Sequence, residues 1–265
     1  MTESRGRLIV VGTGLRTVGQ MTTEAIAWIK AADSVLYVVG DPVAEEMILR
    51  LKPDAISLQT LYSTDSKRID TYEMMVERVL ESVRGNSTTC AVFYGHPGVF
   101  VYPSHAAIQR ARAEGYPAVM LPGVSAEDCL FADIGIDPAE TGCSSYEATD
   151  YLFHQRPTDP ASAMVLWQIG ILGNDGYNPG GRYETPLMPL LIHKLGRHYG
   201  QDHRVAVYEA AVQVGCLPRI SWIPMAGLAT VELTAASTLY IPPAAPSQPD
   251  HEMFAYAEAM GINLG

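Results

Sequence analysis

Cysteine is scarce and scattered in this chain. Its 265 residues hold four, Cys90, Cys129, Cys143 and Cys216, with no C-x-x-C pair among them. That spacing argues against a zinc cluster or a disulfide scaffold and points to reduced thiols in a cytoplasmic protein. Positive charge is also in deficit: 18 Lys and Arg face 29 Asp and Glu, a formal net charge of −11. A field of that sign repels phosphate backbones, so general nucleic-acid binding is not expected. Long apolar runs are missing too. The longest, "AMVLWQIGIL", is too short to cross a bilayer, and the N-terminal "MTESRGRLIVVGTG" lacks the apolar core of a signal peptide. No internal repeat is visible. What remains is 48% hydrophobic and 18% charged, the composition of a folded chain long enough for one large domain or two small ones.

Strand and helix signals alternate in the first half. "RLIVV" followed by "GTG" reads as a buried strand and a tight turn, and "TTEAIAWIKAAD" as a helix behind a threonine cap. "SVLYVV" is a second strand. "DTYEMMVERVLESVRGN" carries Tyr72, Met75, Val76, Val79, Leu80 and Val83 on one helical face, with Gly85 as its stop. "CAVFYGHPGVFVYPSH" runs from a strand through a Gly-Pro loop into the helix "PSHAAIQRARAEG". "AVMLPG" is a strand, and Ser125 caps "AEDCLFADIG". In the second half "AMVLWQI", "RVAVYEA", "RISWIP" and "STLYIPP" read as strands. Thr185 to Tyr199 reads as a helix with Leu187, Leu190, Leu191 and Leu195 on one face. The loop "GNDGYNPGGRYETP" reads as a mobile insertion, and "PPAAPSQPD" as a proline-rich lead into the short helix "HEMFAYAEAMG". The pattern predicts two α/β domains, 1–122 and 123–265, with a cleft between them.

Three motifs invite a chemical reading. In "VVGTGL" a glycine turn after the first strand could hold a dinucleotide phosphate, but Thr17 stands where G-x-G-x-x-G needs glycine, and a tight structural turn explains it as well. His193, His198 and His203 recur every five residues, which rotates them off a common helical face and away from a shared metal. In "LYSTDSKRIDTYEMM", a helix beginning near Asp70 places Tyr72 in its first turn and Arg68 just before it, with Tyr62 on the loop ahead. Tyr94 stands at the C-terminal end of a strand, where open α/β sheets gather ligands.

The combination of "QMTTEAIAWIKAADSVLYVV", "YGHPGVF", "AEGYPAVMLPGVSAEDCLFADIGIDP" and "STLYIPP" resembles the tetrapyrrole methylase superfamily, which uses S-adenosylmethionine (SAM). More narrowly, "FYGHPGVFVYPSH", "RIDTYEMM" and "GVSAEDCLFADIGIDPAETGCSSYEATD" are similar to the borosin peptide backbone α-N-methyltransferases. The likeness runs from Leu8 to about Pro243. It implies two α/β domains of the tetrapyrrole methylase type with SAM in the cleft. It also implies SAM contacts at Tyr94, His96 and Val99, at Ser125 and Ala126, at Gln168, at Glu209 or Ala210, and at Ser237 and Thr238. The catalytic arginine and tyrosines of that family correspond to Arg68, Tyr72, Tyr94 and Tyr62. A further family tyrosine is Gln59 here. No metal is implied. The chain stops at Gly265 without the C-terminal precursor extension of fungal borosin enzymes. The resemblance is therefore to the split bacterial arrangement, implying a separate precursor peptide with a leader-like binding domain. It further implies a homodimer, or a heterotetramer with substrate.

The chemistry suits those residues. An amide nitrogen is a poor nucleophile because its lone pair is delocalised into the carbonyl. Methylating it needs a base for its proton and donors for the charge that collects on the carbonyl oxygen. Tyrosine hydroxyls can do either, and Arg68 nearby is expected to lower a phenol's pKa toward phenolate, with Tyr72 as the base. A tetrapyrrole-type small-molecule C-methyltransferase and a catalytically idle SAM-binding scaffold are the alternatives.

Overall fold

The computed structural model describes residues 6–262. Residues 1–5 and 263–265 lie outside them.

The first sheet takes strands β1 (Arg7–Gly12), β2 (Ser34–Val38), β3 (Ile56–Ser57), β4 (Thr88–Phe93) and β5 (Ala118–Met120) in the order β3-β2-β4-β1-β5. Every pairing is parallel. Parallel strands must be apolar on both faces because the crossover helices cover both. Accordingly Leu8 and Val10 of β1 join one core with Met75, Val76, Val79, Leu80 and Val83. Ile9 and Val11 join another with Ala25, Ile29, Ala44 and Ile48. The helices are α1 (Thr17–Gln20), α2 (Thr23–Ala31), α3 (Pro42–Leu51), α4 (Arg68–Arg84) and α5 (Tyr102–Ala113).

The second sheet is mixed. Strands β6 (Cys143–Glu147), β7 (Ala163–Trp167), β8 (Arg204–Glu209), β9 (Arg219–Pro224) and β10 (Thr238–Ile241) run in the order β6-β7-β10-β8-β9. Only β6 and β7 pair in parallel; β10 runs antiparallel to β7 and β8, and β9 antiparallel to β8. Around it lie α6 (Ala126–Ile134), α7 (Pro138–Thr141), α8 (Ala148–Phe153), α9 (Met188–Tyr199) and α10 (His251–Ala259). The expected α/β architecture is thus present as two five-stranded sheets. Among the described residues no helix is long and apolar enough to cross a membrane.

Four local expectations change. Helix α4 begins at Arg68, so Arg68 occupies its first turn and Asp70 sits inside that turn as a charge favourable to the helix dipole. Its end is not a left-handed glycine: Gly85 has φ −72°, and Asn86 takes the positive φ of 64°. Helix α9 begins at Met188, since Pro189 suits only a first turn. Its buried face is Met188, Leu191, Ile192, Leu195 and Tyr199, while Leu190 is 52% exposed. Finally, the segment 173–186 is docked on the first sheet's side of the molecule, by contacts described next.

Candidate active site

In a parallel sheet all strand C-termini face one edge, and the loops leaving β1, β4 and β5 meet there. Three of them interlock through glycine. Gly14 and Gly95, both at positive φ, exchange backbone hydrogen bonds of 3.2 and 2.9 Å. A Cβ on Gly12 would lie 2.1 Å from the Gly95 carbonyl oxygen and 2.8 Å from Pro97 Cδ, and one on Gly123 would lie 3.2 Å from the same oxygen. The first glycine turn therefore seats the Tyr94–Val99 loop. On that loop the His96 Nδ1 accepts the Gly98 N–H at 2.9 Å, which puts the imidazole proton on Nε2. Ser104, buried at the start of α5, donates to the carbonyls of Pro97 and of Val101.

Beside this loop Arg68, Tyr62, Tyr72 and Tyr94 come together. Tyr62 meets Tyr72 edge-on at 6.5 Å between ring centroids. The Tyr62 pKa is driven well above the ordinary phenol value, first by burial and then by Tyr72 and Tyr94. Tyr94 as a whole residue is 52% exposed, but its hydroxyl end lies among these groups. Loss of water raises its pKa, Tyr72 adds to the rise, and Arg68 opposes it as the smallest of the three causes. The expectation that Arg68 would favour phenolate fails for Tyr94, because desolvation of the anion outweighs the guanidinium. Tyr62 and Tyr94 are protonated phenols at neutral pH and can act as hydrogen-bond donors.

Arg68 is held by the segment 173–186, which is docked and not a mobile insertion. Its guanidinium donates to the Asn174 carbonyl oxygen, 106 positions away, and its backbone N–H donates to Asp175 O at 2.9 Å. Lys67 pairs with Asp175 at 3.0 Å. Tyr177 stacks on Tyr62 at 4.6 Å, and Tyr102 stacks on Tyr72 at 6.3 Å while its hydroxyl donates to Glu73 at 2.5 Å. Asn174, Asp175, Tyr177 and Tyr102 were not among the residues singled out by sequence. The signal for Tyr177 is slight: it is one of two tyrosines, with Tyr183, in a Gly/Asn-rich loop.

The second sheet supplies the facing residues at the edge where β7 and β8 end and β10 begins. Gln168 follows β7 in a left-handed conformation, φ 61° and ψ 33°, a strained setting for a residue with a side chain. Two contacts enforce it: Ile169 N–H donates to Ser237 O at 3.1 Å, and a Cβ on Gly170 would lie 1.8 Å from the Thr234 carbonyl oxygen. Glu209 Oε1 accepts from Ser237 Oγ at 2.5 Å, Thr234 Oγ1 at 2.9 Å and Arg219 Nη1 at 3.1 Å. Ser237 and Thr238 are buried. Ala210 packs at the margin of the core formed by Leu130, Val165 and Tyr208. Ser125 caps α6 in a reciprocal box with Asp128, so its hydroxyl is already engaged, and Ala126 opens the helix. The rings of Phe100 and Trp167, 5.6 Å apart, join the Tyr94–Val99 loop to the end of β7 just before Gln168.

Comparison with known proteins gives this arrangement a family. The model of the Tetrapyrrole (Corrin/Porphyrin) Methylases matches residues 7–213. A Dendrothele bispora protein, a methyltransferase/ribosomally synthesized cyclic peptide dendrothelin A precursor, is 44% identical over 244 residues, 91% of this chain and 58% of its own length. A Gymnopus fusipes protein, a methyltransferase/ribosomally synthesized cyclic peptide gymnopeptides precursor, is 40% identical over 265 residues, 98% of this chain and 63% of its own. The chain thus spans about three-fifths of these curated relatives. Among solved structures, the uroporphyrin-III C-methyltransferase of Thermus thermophilus superposes with a TM-score of 0.63 at 18% identity, covering 91% of this chain and 93% of that one. A complex of that Thermus enzyme with S-adenosyl homocysteine gives 0.59 at 16% identity, over 89% and 92%. Likeness at this identity shows the fold alone. The relatives correct one expectation: they are fungal proteins that join methyltransferase and precursor in one chain, which conflicts with a separately encoded precursor partner in a split, bacterial-type system.

Proposed function

Because this chain belongs to the Tetrapyrrole (Corrin/Porphyrin) Methylases, we propose that it transfers a methyl group from SAM to backbone amide nitrogens of a ribosomally made peptide. The observation that carries the reading is the convergence of Arg68, Tyr62, Tyr72 and Tyr94 beside a loop seated on bare backbone. The names of the relatives agree with it. In this reading residues 1–122 form a domain with the reacting cluster and 123–265 a domain that completes the cofactor site, in a cytoplasmic homodimer.

The residues fit SAM by the chemistry of their free groups. Among the described residues the Gln168 side-chain amide makes no hydrogen bond, Glu209 Oε2 has no partner while Oε1 is saturated, and His96 keeps Nε2–H to donate. Those groups, with the backbone of Tyr94–Val99 and of Ser125–Ala126 and with Ser237 and Thr238, would hold the cofactor. Glu209 or Ala210 supplies the contact after β8. Bound there, SAM supplies an electrophilic methyl on a sulfonium cation.

The chain's own residues do the rest. Protonated Tyr94 and Tyr62 donate toward the substrate carbonyl oxygen as charge moves onto it. Arg68 stabilises the same charge in a site of low water content. Tyr72, as its phenolate, takes the amide proton and becomes the neutral phenol. The close-packed loop orients nitrogen and donor, an effect that reaches effective molarities of roughly 10⁵ M or more. The test is mass spectrometry of this chain bearing the precursor segment of the Dendrothele bispora relative, incubated with SAM. Methyl-sized increments on backbone nitrogens are expected; an unmodified segment rejects the proposal.

A further inference from the structure

We propose that Tyr177 is a positioning residue, which by stacking on Tyr62 holds that phenol, and Tyr72 behind it, in the arrangement methyl transfer needs. The inference rests on the function just proposed. The Tyr62 ring packs at the margin of the core that holds Met75 and Phe93, and Tyr177 is stacked on it. Tyr62 ends a single 3-10 turn, Gln59–Leu61, and is followed by the exposed residues Ser63–Asp65, so its own backbone gives little support. Its ring lies 4.6 Å from that of Tyr177 with 26° between planes, and its edge meets Tyr72 at 84°. Tyr177 is in turn well anchored. The Asn174 side-chain amide donates to Leu172 O at 3.3 Å and to Glu184 O at 2.9 Å. Asn178 N–H donates to the Tyr183 hydroxyl at 2.8 Å. Lys67 and Gly176 form a bridge, and Arg68 is bonded to Asn174 and Asp175. Residues 174–177 form a strap that begins six residues after Gln168, so it carries the placement of the second sheet's edge onto both Arg68 and Tyr62.

The experiment compares Tyr177→Ala with Tyr177→Phe, which lacks the same hydroxyl but keeps the stack. Tyrosine is labelled with ¹³C at Cζ, and the Tyr62 signal is assigned by its loss in Tyr62→Phe. Transfer is measured with SAM on the appended precursor segment, and binding with S-adenosyl homocysteine. Alanine is expected to shift the Tyr62 signal, to bring its titration to lower pH as water reaches the ring, and to slow transfer about tenfold or more. S-adenosyl homocysteine affinity should stay within about twofold, since Tyr177 is outside the cofactor residues. Phenylalanine should behave as wild type. A Tyr62 signal that is the same in both variants overturns the proposal, and so does a shifted signal with unslowed transfer. If wild type transfers no methyl, the proposed function fails, and the Tyr62 signal alone decides whether Tyr177 positions it. Tyr177→Leu, which keeps volume without the ring, replaces alanine if that variant does not fold.

Discussion

The two sheets build their edges at the candidate site by different means. The parallel first sheet points every strand's C-terminus at one edge, and its contribution there is mainly backbone: glycine turns packed too tightly for a side chain, with the phenols at their rim. The mixed second sheet brings two strand ends and one strand start to its edge, and its contribution is a side-chain network centred on Glu209. The first half is therefore sensitive chiefly to added atoms, and the second to deleted ones as well as to an atom added at Gly170. The strap 174–177 and the Phe100–Trp167 contact connect them.

That contrast can be broken at several points. The largest effect is expected where the halves meet: Arg68→Ala should slow methyl transfer about 100-fold or more, with little change in S-adenosyl homocysteine binding by calorimetry. In the first half, Gly12→Ala drives a methyl into the Gly95 carbonyl and should cost at least about 2 kcal/mol in urea unfolding. In the second half a deletion should matter instead: Ser237→Ala leaves Glu209 and the Thr234 N–H each short of a partner, at about 1–2 kcal/mol. If Gly12→Ala is silent while Ser237→Ala is severe, the first half is not built on close backbone contact.

The raised phenols add a test by pH. Tyr94 keeps its proton through the neutral range, so its loss as a donor should add a fall in wild-type initial rates on the alkaline side, above pH ~10. Tyr94→Phe, slower throughout, should lack that part of the fall. The same shifts bear on stability. Tyr62 and Tyr94 hold their protons more tightly folded than unfolded, so their contribution is complete below pH ~10 and is lost progressively above it. Smallest of all should be Glu46→Ala, which removes an exposed i,i+4 pair with Arg50 and should cost less than ~0.5 kcal/mol.

Much of the first half was legible from local pattern. The α4 stripe of Met75, Val76, Val79, Leu80 and Val83 is buried as its spacing required, and Ser125 caps α6. The α9 face was misread at Leu190 because four leucines in nine residues allow two registers, and only packing against the second core selects Met188 and Ile192 instead. The strap was misread for a related reason. Gly, Asn and Pro in sequence report that a segment cannot be helix or strand, and report nothing of where it docks. Arg68, Tyr72 and Tyr94 were legible as candidates through family motifs, but their ionisation was not, because burial of a hydroxyl is a property of everything folded around it.

By itself, the order of residues determined the elements: which stretches alternate between strand and helix, which faces are apolar, where glycine permits a turn to close. Those depend on dihedral preferences and on spacings of a few residues. The tertiary structure alone decided that Asn174 would meet Arg68, that Tyr177 would lie on Tyr62, and that the Tyr94 phenol would keep its proton beside a guanidinium. Each joins groups remote along the chain, and only the burial of both sheets' cores brings them together and removes the water between them.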